Sequence, residues 1–189
     1  MEYHLFINDQ INDVDWEASL PLLSPQRREQ TLRFKHELGR RTCVAAYLLL
    51  RKALHEVYGI TEKPIFEYGE HGKPFIIGHP EIHFNMSHCK EAAICAVSDR
   101  PIGVDVESVR EYKESLAKYT MNEEELHQII NAPRPDVAFT RLWTMKEATA
   151  KMTGTGISNH MKDILAIPTR ITTVVSEDLR HVYSICQSL

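Results

Sequence analysis

Ile102-Gly103-Val104-Asp105-Val106-Glu107 is the stretch on which the fold turns. Apolar residues alternate there with a glycine and two acids, the period-two pattern of a β-strand. Val104 and Val106 belong to the core, and Asp105 and Glu107 project together from the opposite face. The segment therefore reads as a half-buried strand with an acidic face. Gly103 inside it marks a close approach by a ligand or another backbone.

On the C-terminal side of this strand, helical patterns cover about residues 111 to 131 and 136 to 152, separated by Asn131, Pro133 and Pro135. Gly154-Thr155-Gly156 stops the second. Two β-rich runs follow, Ile171 to Ser176 and His181 to Cys186, around the acidic turn at Glu177-Asp178. On the N-terminal side, Asp99-Arg100-Pro101 is a turn, and Ala92 to Val97 and Ile82 to Met86 are strands expected to pair. Ile65 to Tyr68 reads as a strand and Gly69 to Pro74 as a turn carrying Lys73. A helix is expected over about 38 to 58, with Gly59 as its stop, and a weak strand over 3 to 7. Pro21, Ser24 and Pro25 open a basic stretch with Arg27, Arg28 and Arg33, to which no element is assigned. A long helix followed by strands thus occurs twice, which predicts two similar α+β halves, residues 1–100 and 101–189.

Composition narrows the function. A net charge of −4 excludes the chain-wide basic field of a non-specific nucleic-acid binder, so any anion site is local. No segment approaches the ~18 uninterrupted apolar residues of a membrane span, and Met1 to Ile7 has no basic lead before an apolar run. The expected location is the cytoplasm. Cys43, Cys89, Cys95 and Cys186 form no C-x-x-C pair and are read as free thiols.

Three groups of residues carry chemistry. Asp105 and Glu107, two apart in a strand, make an oxygen chelate for a hard cation such as Mg²⁺; a solvated strand face is the plain alternative. In Asn85-Met86-Ser87-His88, serine and histidine stand where a strand runs into a turn. Adjacent residues in extended backbone point apart, and no G-x-S-x-G elbow is present, so a hydrolase pairing is discounted in favour of phosphate contacts. On the helix from Trp143 to Lys151, residues 143, 147 and 151 share one stripe. Glu147 and Lys151 form either a plain i to i+4 ion pair or a base beside an ammonium that can face a phosphate.

In order and separation, Gly72-Lys73-Pro74, His83 to His88, Ile102 to Glu107, and Trp143 to Lys151 with Gly154-Thr155-Gly156-Ile157-Ser158 closely resemble the Sfp-type 4′-phosphopantetheinyl transferases. Arg41-Thr42 and the helix after them resemble the family's N-terminal region less sharply. The resemblance implies two α+β halves related by a pseudo-twofold, with coenzyme A bound between them. It implies transfer of 4′-phosphopantetheine to a serine of an apo carrier protein, acyl, peptidyl or aryl, by an Mg²⁺-dependent enzyme, with Mn²⁺ as an alternative.

Asp105, Glu107 and a third acid would hold the metal, the third being Glu124 within the run Glu123-Glu124-Glu125. Arg41, Lys73, Pro74, Ser87, His88 and Lys151 would contact coenzyme A, and Glu147, Lys151 and His88 would act in catalysis. Where the family carries lysines for the 3′-phosphate, this chain offers Arg27, Arg28 and Gln30. Lys113, Lys118 and Met121 are placed on a carrier docking surface, and a monomer without nucleic-acid or membrane partners is expected. A metal-dependent phosphohydrolase and an inactive module binding coenzyme A or a carrier are the competing readings.

Overall fold

Strand order repeats. In the first half of the chain, β1 (Tyr3–Asn8) is followed by helices α1 (Trp16–Ser19), α2 (Pro25–Arg33) and α3 (Glu37–Tyr58), a short hairpin of β2 (Phe66–Tyr68) and β3 (Pro74–Ile76), then β4 (His83–His88) and β5 (Ala93–Ser98). In the second, β6 (Ile102–Ser108) is followed by α4 (Glu114–Thr120), α5 (Glu123–Ile130) and α6 (Pro135–Thr153), then β7 (Thr169–Val175) and β8 (His181–Ser188). The first sheet runs β1-β5-β4 and the second β6-β8-β7, so each half places its last strand between its first and middle strands. All these pairings are antiparallel. The expected pair of similar α+β halves is borne out in this repeat. The computed structural model describes residues 3–69, 71–156 and 161–189; Ile157 and Ser158, the end of the last motif, lie outside the described residues.

Each long helix stops for the same local reason. Gly59 and Gly154 take left-handed φ of 69° and 75°, which costs a residue without Cβ little, and their N–H groups bond back to His55 and Ala150. Pro135 at the start of α6 fits where no intrahelical N–H is needed. The region 111 to 131 is two helices rather than one. Asn122 breaks it, accepting from the Glu125 N–H at 2.9 Å while the Glu125 carboxylate accepts from the Asn122 N–H at 2.8 Å. In the unassigned basic stretch, Ser24 caps α2 by accepting from Arg27 N–H, and Pro25 opens the first turn. Pro74, expected in a turn, begins β3.

Helix, sheet, sheet and helix stack in that order. Val44, Tyr47, Leu50 and Leu54 of α3 pack on Cys95 and Val97 from one face of the first sheet. Ile94 and Ala96 on its other face pack on Ile102, Val104, Val106 and Ile185 of the second sheet. Beyond that, Ala148 and Met152 of α6 cover Cys186. Strand β6 is thereby buried on both faces, so the half-buried strand expected from its alternation is corrected: the side bearing Asp105 lies under α6. Gly103 makes this possible, since a Cβ there would stand 2.0 Å from the Ala148 carbonyl oxygen and 2.4 Å from the Met152 nitrogen.

The two sheets meet where β4 lies beside the outer edge of β6. No backbone ladder joins them; side chains do. Asn85 Oδ1 accepts from the Val104 N–H at 2.9 Å and Ser87 Oγ from the Val106 N–H at 3.3 Å, satisfying edge amides that would otherwise be buried without partners.

Candidate active site

The strand repeat of two residues, applied to β6, aims Asp105 and Glu107 at the underside of α6, and the helical repeat aims Glu147 and Lys151 back at them. Asp105 is 4% exposed. Its Oδ1 accepts from Lys151 Nζ at 2.7 Å and from Ser87 Oγ at 2.9 Å, and Lys151 Nζ also lies 3.1 Å from Ser87 Oγ. The ammonium of Lys151 is thus ion-paired across the interface with Asp105 rather than along the helix with Glu147.

Among the described residues, two buried carboxylate oxygens have no hydrogen-bond partner, Asp105 Oδ2 and Glu147 Oε1. An ionised oxygen withdrawn from water without compensation is costly, and at Glu147 that cost favours the protonated form. Burial, then the charge of Asp105, pushes the Glu147 carboxyl up to about 7, with Glu107 adding to it and Lys151 opposing. Glu107 is raised by burial first and by Asp105 second, while the Trp143 indole N–H, 3.4 Å from its Oε1, opposes the rise. Asp105, Glu107 and Glu147 therefore act on one another electrostatically. Among the described residues, no three His, Cys, Asp or Glu side chains are drawn together to hold a metal.

The remaining groups fall around this centre at varying range. Lys73 Nζ donates to the carbonyls of Met152, at 2.8 Å, and Ile102, at 3.3 Å, so it ties the end of α6 to β6; burial lowers its proton affinity. Pro74 follows it, half-buried, at the start of β3. His88 ends β4, its imidazole pushed below its usual value by burial first, then by Arg27 and Lys151. Ser87 is buried between Asp105, Lys151 and the β6 backbone.

Arg41 lies on α3, bonded through Nε and Nη2 to Glu37 and through Nη1 to the Asn12 carbonyl. Glu124 is exposed in the first turn of α5 and is not among the charges that shift Glu107 or Glu147. Its neighbour Glu125 is committed elsewhere, 2.9 Å from the fully buried Lys146 ammonium. Met121, placed on a docking surface by sequence, is fully buried against α5 and α6; Lys118 is exposed and paired with Glu114.

Two residues named in the sequence take roles there that their motifs did not announce. Arg27, in the first turn of α2, stands close enough to His88 to depress it, and its buried Nε has no partner. The helix-start signal Ser24-Pro25 was there to find it. Asn85 closes the sheet junction, a role no local pattern announces. Lys151 lines one depression of about 230 Å³ together with Lys73, Asn85 and Gly154, and Glu107 lines another of about 370 Å³ together with Arg110, Tyr112 and Trp143.

Two similar α+β halves, with buried acids and a lysine gathered where the second long helix crosses β6, define a scaffold whose relatives are recognisable. Residues 101–188 match the profile of the "4'-phosphopantetheinyl transferase superfamily" and residues 10–100 that of "4'-phosphopantetheinyl transferase, N-terminal". A 4'-phosphopantetheinyl transferase of Bacillus subtilis is 31% identical over 160 residues, 82% of this chain and 71% of that protein. The Sfp transferase of Bacillus subtilis strain 168 is 29% identical over 82% of this chain and 71% of its own length. The psf-1 transferase of Bacillus pumilus is 33% identical over 77% of this chain, a match spanning 64% of that relative. The chain belongs to the 4′-phosphopantetheinyl transferase family, of the Sfp type.

Proposed function

We propose that this protein transfers the 4′-phosphopantetheine group of coenzyme A to a serine of an apo carrier protein, releasing 3′,5′-ADP. Family membership supports the reaction class. One observation carries the assignment to this site: Asp105 and Glu147, from two separate sequence motifs, are buried side by side, each with an unpartnered oxygen. Such a pair is expensive to maintain in a merely structural role.

The same orphaned oxygens fit a divalent cation, Mg²⁺ or Mn²⁺, which takes hard oxygen ligands and shares them with substrate phosphates. Asp105 and Glu107 would hold it, and the third acid nearest to them in influence is Glu147 rather than Glu124. When bound, the cation neutralises charge on the coenzyme A diphosphate. In this reading Glu147, poised at about 7, accepts the proton of the carrier serine as its oxygen bonds to the β-phosphorus and the bond from that phosphorus to the departing 3′,5′-ADP oxygen breaks. Lys151 and His88 stabilise charge on the phosphates, and Lys73, Pro74, Ser87 and Arg41 line the path of coenzyme A. No nucleophile on this chain is required.

The docking surface for the carrier is assigned to Lys113 and Lys118, exposed at the start and within α4, where an acidic partner helix finds positive charge. A cytoplasmic monomer completes the reading; the four free cysteines accord with a reducing compartment. No helix among the described residues is long and apolar enough to cross a membrane.

Mass spectrometry of an apo carrier protein incubated with this enzyme, coenzyme A and Mg²⁺ should reveal the added arm. Release of 3′,5′-ADP without an acceptor would instead mark a phosphohydrolase. Asp105→Ala should lower turnover by at least about a hundredfold, the scale of a lost charge stabiliser; a carrier modified at the normal rate by that variant would refute the site.

A further inference from the structure

Asp105 is almost wholly removed from water, yet one of its oxygens is already taken by a cation, the Lys151 ammonium at 2.7 Å. An aspartate in such a place is stable only with a counter-charge. Lys151 is the ion-pair partner it has, and Ser87 Oγ, within reach of both, holds the pair in register. Lys151 is not itself locked in: its side chain is 30% exposed, on an unbranched stem that can swing toward the depression it shares with Lys73 and Gly154.

We infer that Lys151 is a resident stand-in for the divalent cation, neutralising Asp105 in the ligand-free chain and competing with the metal until a diphosphate draws the ammonium away. This rests on the function proposed above and adds an order to it. Two cations cannot both be close to Asp105 at little cost, since like charges a few ångströms apart repel, the more so when one of them is divalent. Screening and movement of the lysine reduce this, and about tenfold is the expected remainder. A diphosphate offers the ammonium a better anion, so coenzyme A and the metal each raise the affinity of the other by the same factor. The site then assembles only when both are present, and neither a bare metal nor stray hydrolysis is favoured.

The test is binding of Mn²⁺, followed by the paramagnetic resonance of the free ion, with and without coenzyme A. Lys151→Met should bind Mn²⁺ alone about tenfold more tightly than the natural chain, and the enhancement by coenzyme A should shrink by a similar factor. In EDTA the same variant should melt at a lower temperature, with Mn²⁺ restoring it, because Asp105 has lost its counter-charge. Adding Asp105→Asn should relieve that loss in EDTA, and Lys151→Arg, which keeps the charge, should stay within about threefold of the natural chain in Mn²⁺ affinity. A Lys151→Met chain that folds only with Mn²⁺ present supports the inference.

Equal Mn²⁺ affinity in the natural chain and in Lys151→Met, or equal melting in EDTA, overturns it, even if carrier modification proceeds normally and the proposed function stands. Absence of Mn²⁺ binding in both chains, even with coenzyme A, overturns the metal assignment and this inference with it.

Discussion

Glu147 is held up at about 7, well above the usual carboxylate range, mostly by burial and next by Asp105. Between pH 4.5 and 7 the folded chain therefore binds more protons than the unfolded one. Stability falls as pH rises through that window, and the whole penalty, about 3 kcal/mol, is present above pH 7. Glu147→Gln removes the ionisation, so in EDTA its melting temperature should exceed that of the natural chain at pH 8 and match it near pH 4.5. The same change should cost a hundredfold or more in carrier modification, since an amide accepts no proton. Thermal melts at the two pH values and a single-turnover assay check both halves of this trade. Spacing marks Asp105 with Glu107 in one strand and Glu147 with Lys151 on one helix, and the family resemblance joins the two pairs. That Lys151 reaches Asp105 and not Glu147 was not legible, because it depends on how α6 lies over β6, some forty residues away in the chain.

The helix-on-strand contact rests on Gly103. Its missing side chain lets the backbone of α6 lie directly on β6, and Gly103→Ala would drive a methyl into the Ala148 carbonyl. The helix must move, so a loss of about 3 kcal/mol in urea unfolding is expected, with activity falling further as Glu147 and Lys151 shift with it. Lys146, on the far side of the same helix, is fully buried and satisfied by Glu125 at 2.9 Å and by the carbonyls of Met161 and Lys162 at 2.6 and 3.2 Å. Lys146→Met leaves Glu125 uncompensated and should cost about 3 to 5 kcal/mol, partly recovered by Glu125→Gln in the same chain. Equilibrium unfolding of the single and double variants measures the coupling. Here the elements announced themselves unequally. Helices α3 and α6 were legible from their spacing and glycine stops, whereas α2 carries mostly charged and polar residues after Pro25 and gave no apolar periodicity to read.

For the whole molecule, the twice-used strand order was foreseeable from the order of helix and strand patterns, but its stacking was not. An alternation of valine with acids looks the same whether the acids face water or a helix supplied by a later part of the chain. Beside the apolar packing between the sheets, side chains of Asn85 and Ser87 bridge the junction to the amides of Val104 and Val106. Asn85→Ala should accelerate hydrogen exchange at Val104 by at least about tenfold, the scale of one lost bond, and leave the ladder between β4 and β5 unchanged. Amide-resolved exchange reads this directly.

A fastener made of short side chains has a fixed throw. Asparagine and serine reach the facing amides because their oxygens sit one bond or two beyond Cβ; one more methylene would wedge the sheets apart and one fewer would leave a gap. Ser87 also touches Asp105 and Lys151, so the tolerance that keeps the halves flush is the same tolerance that aligns the charges beneath α6.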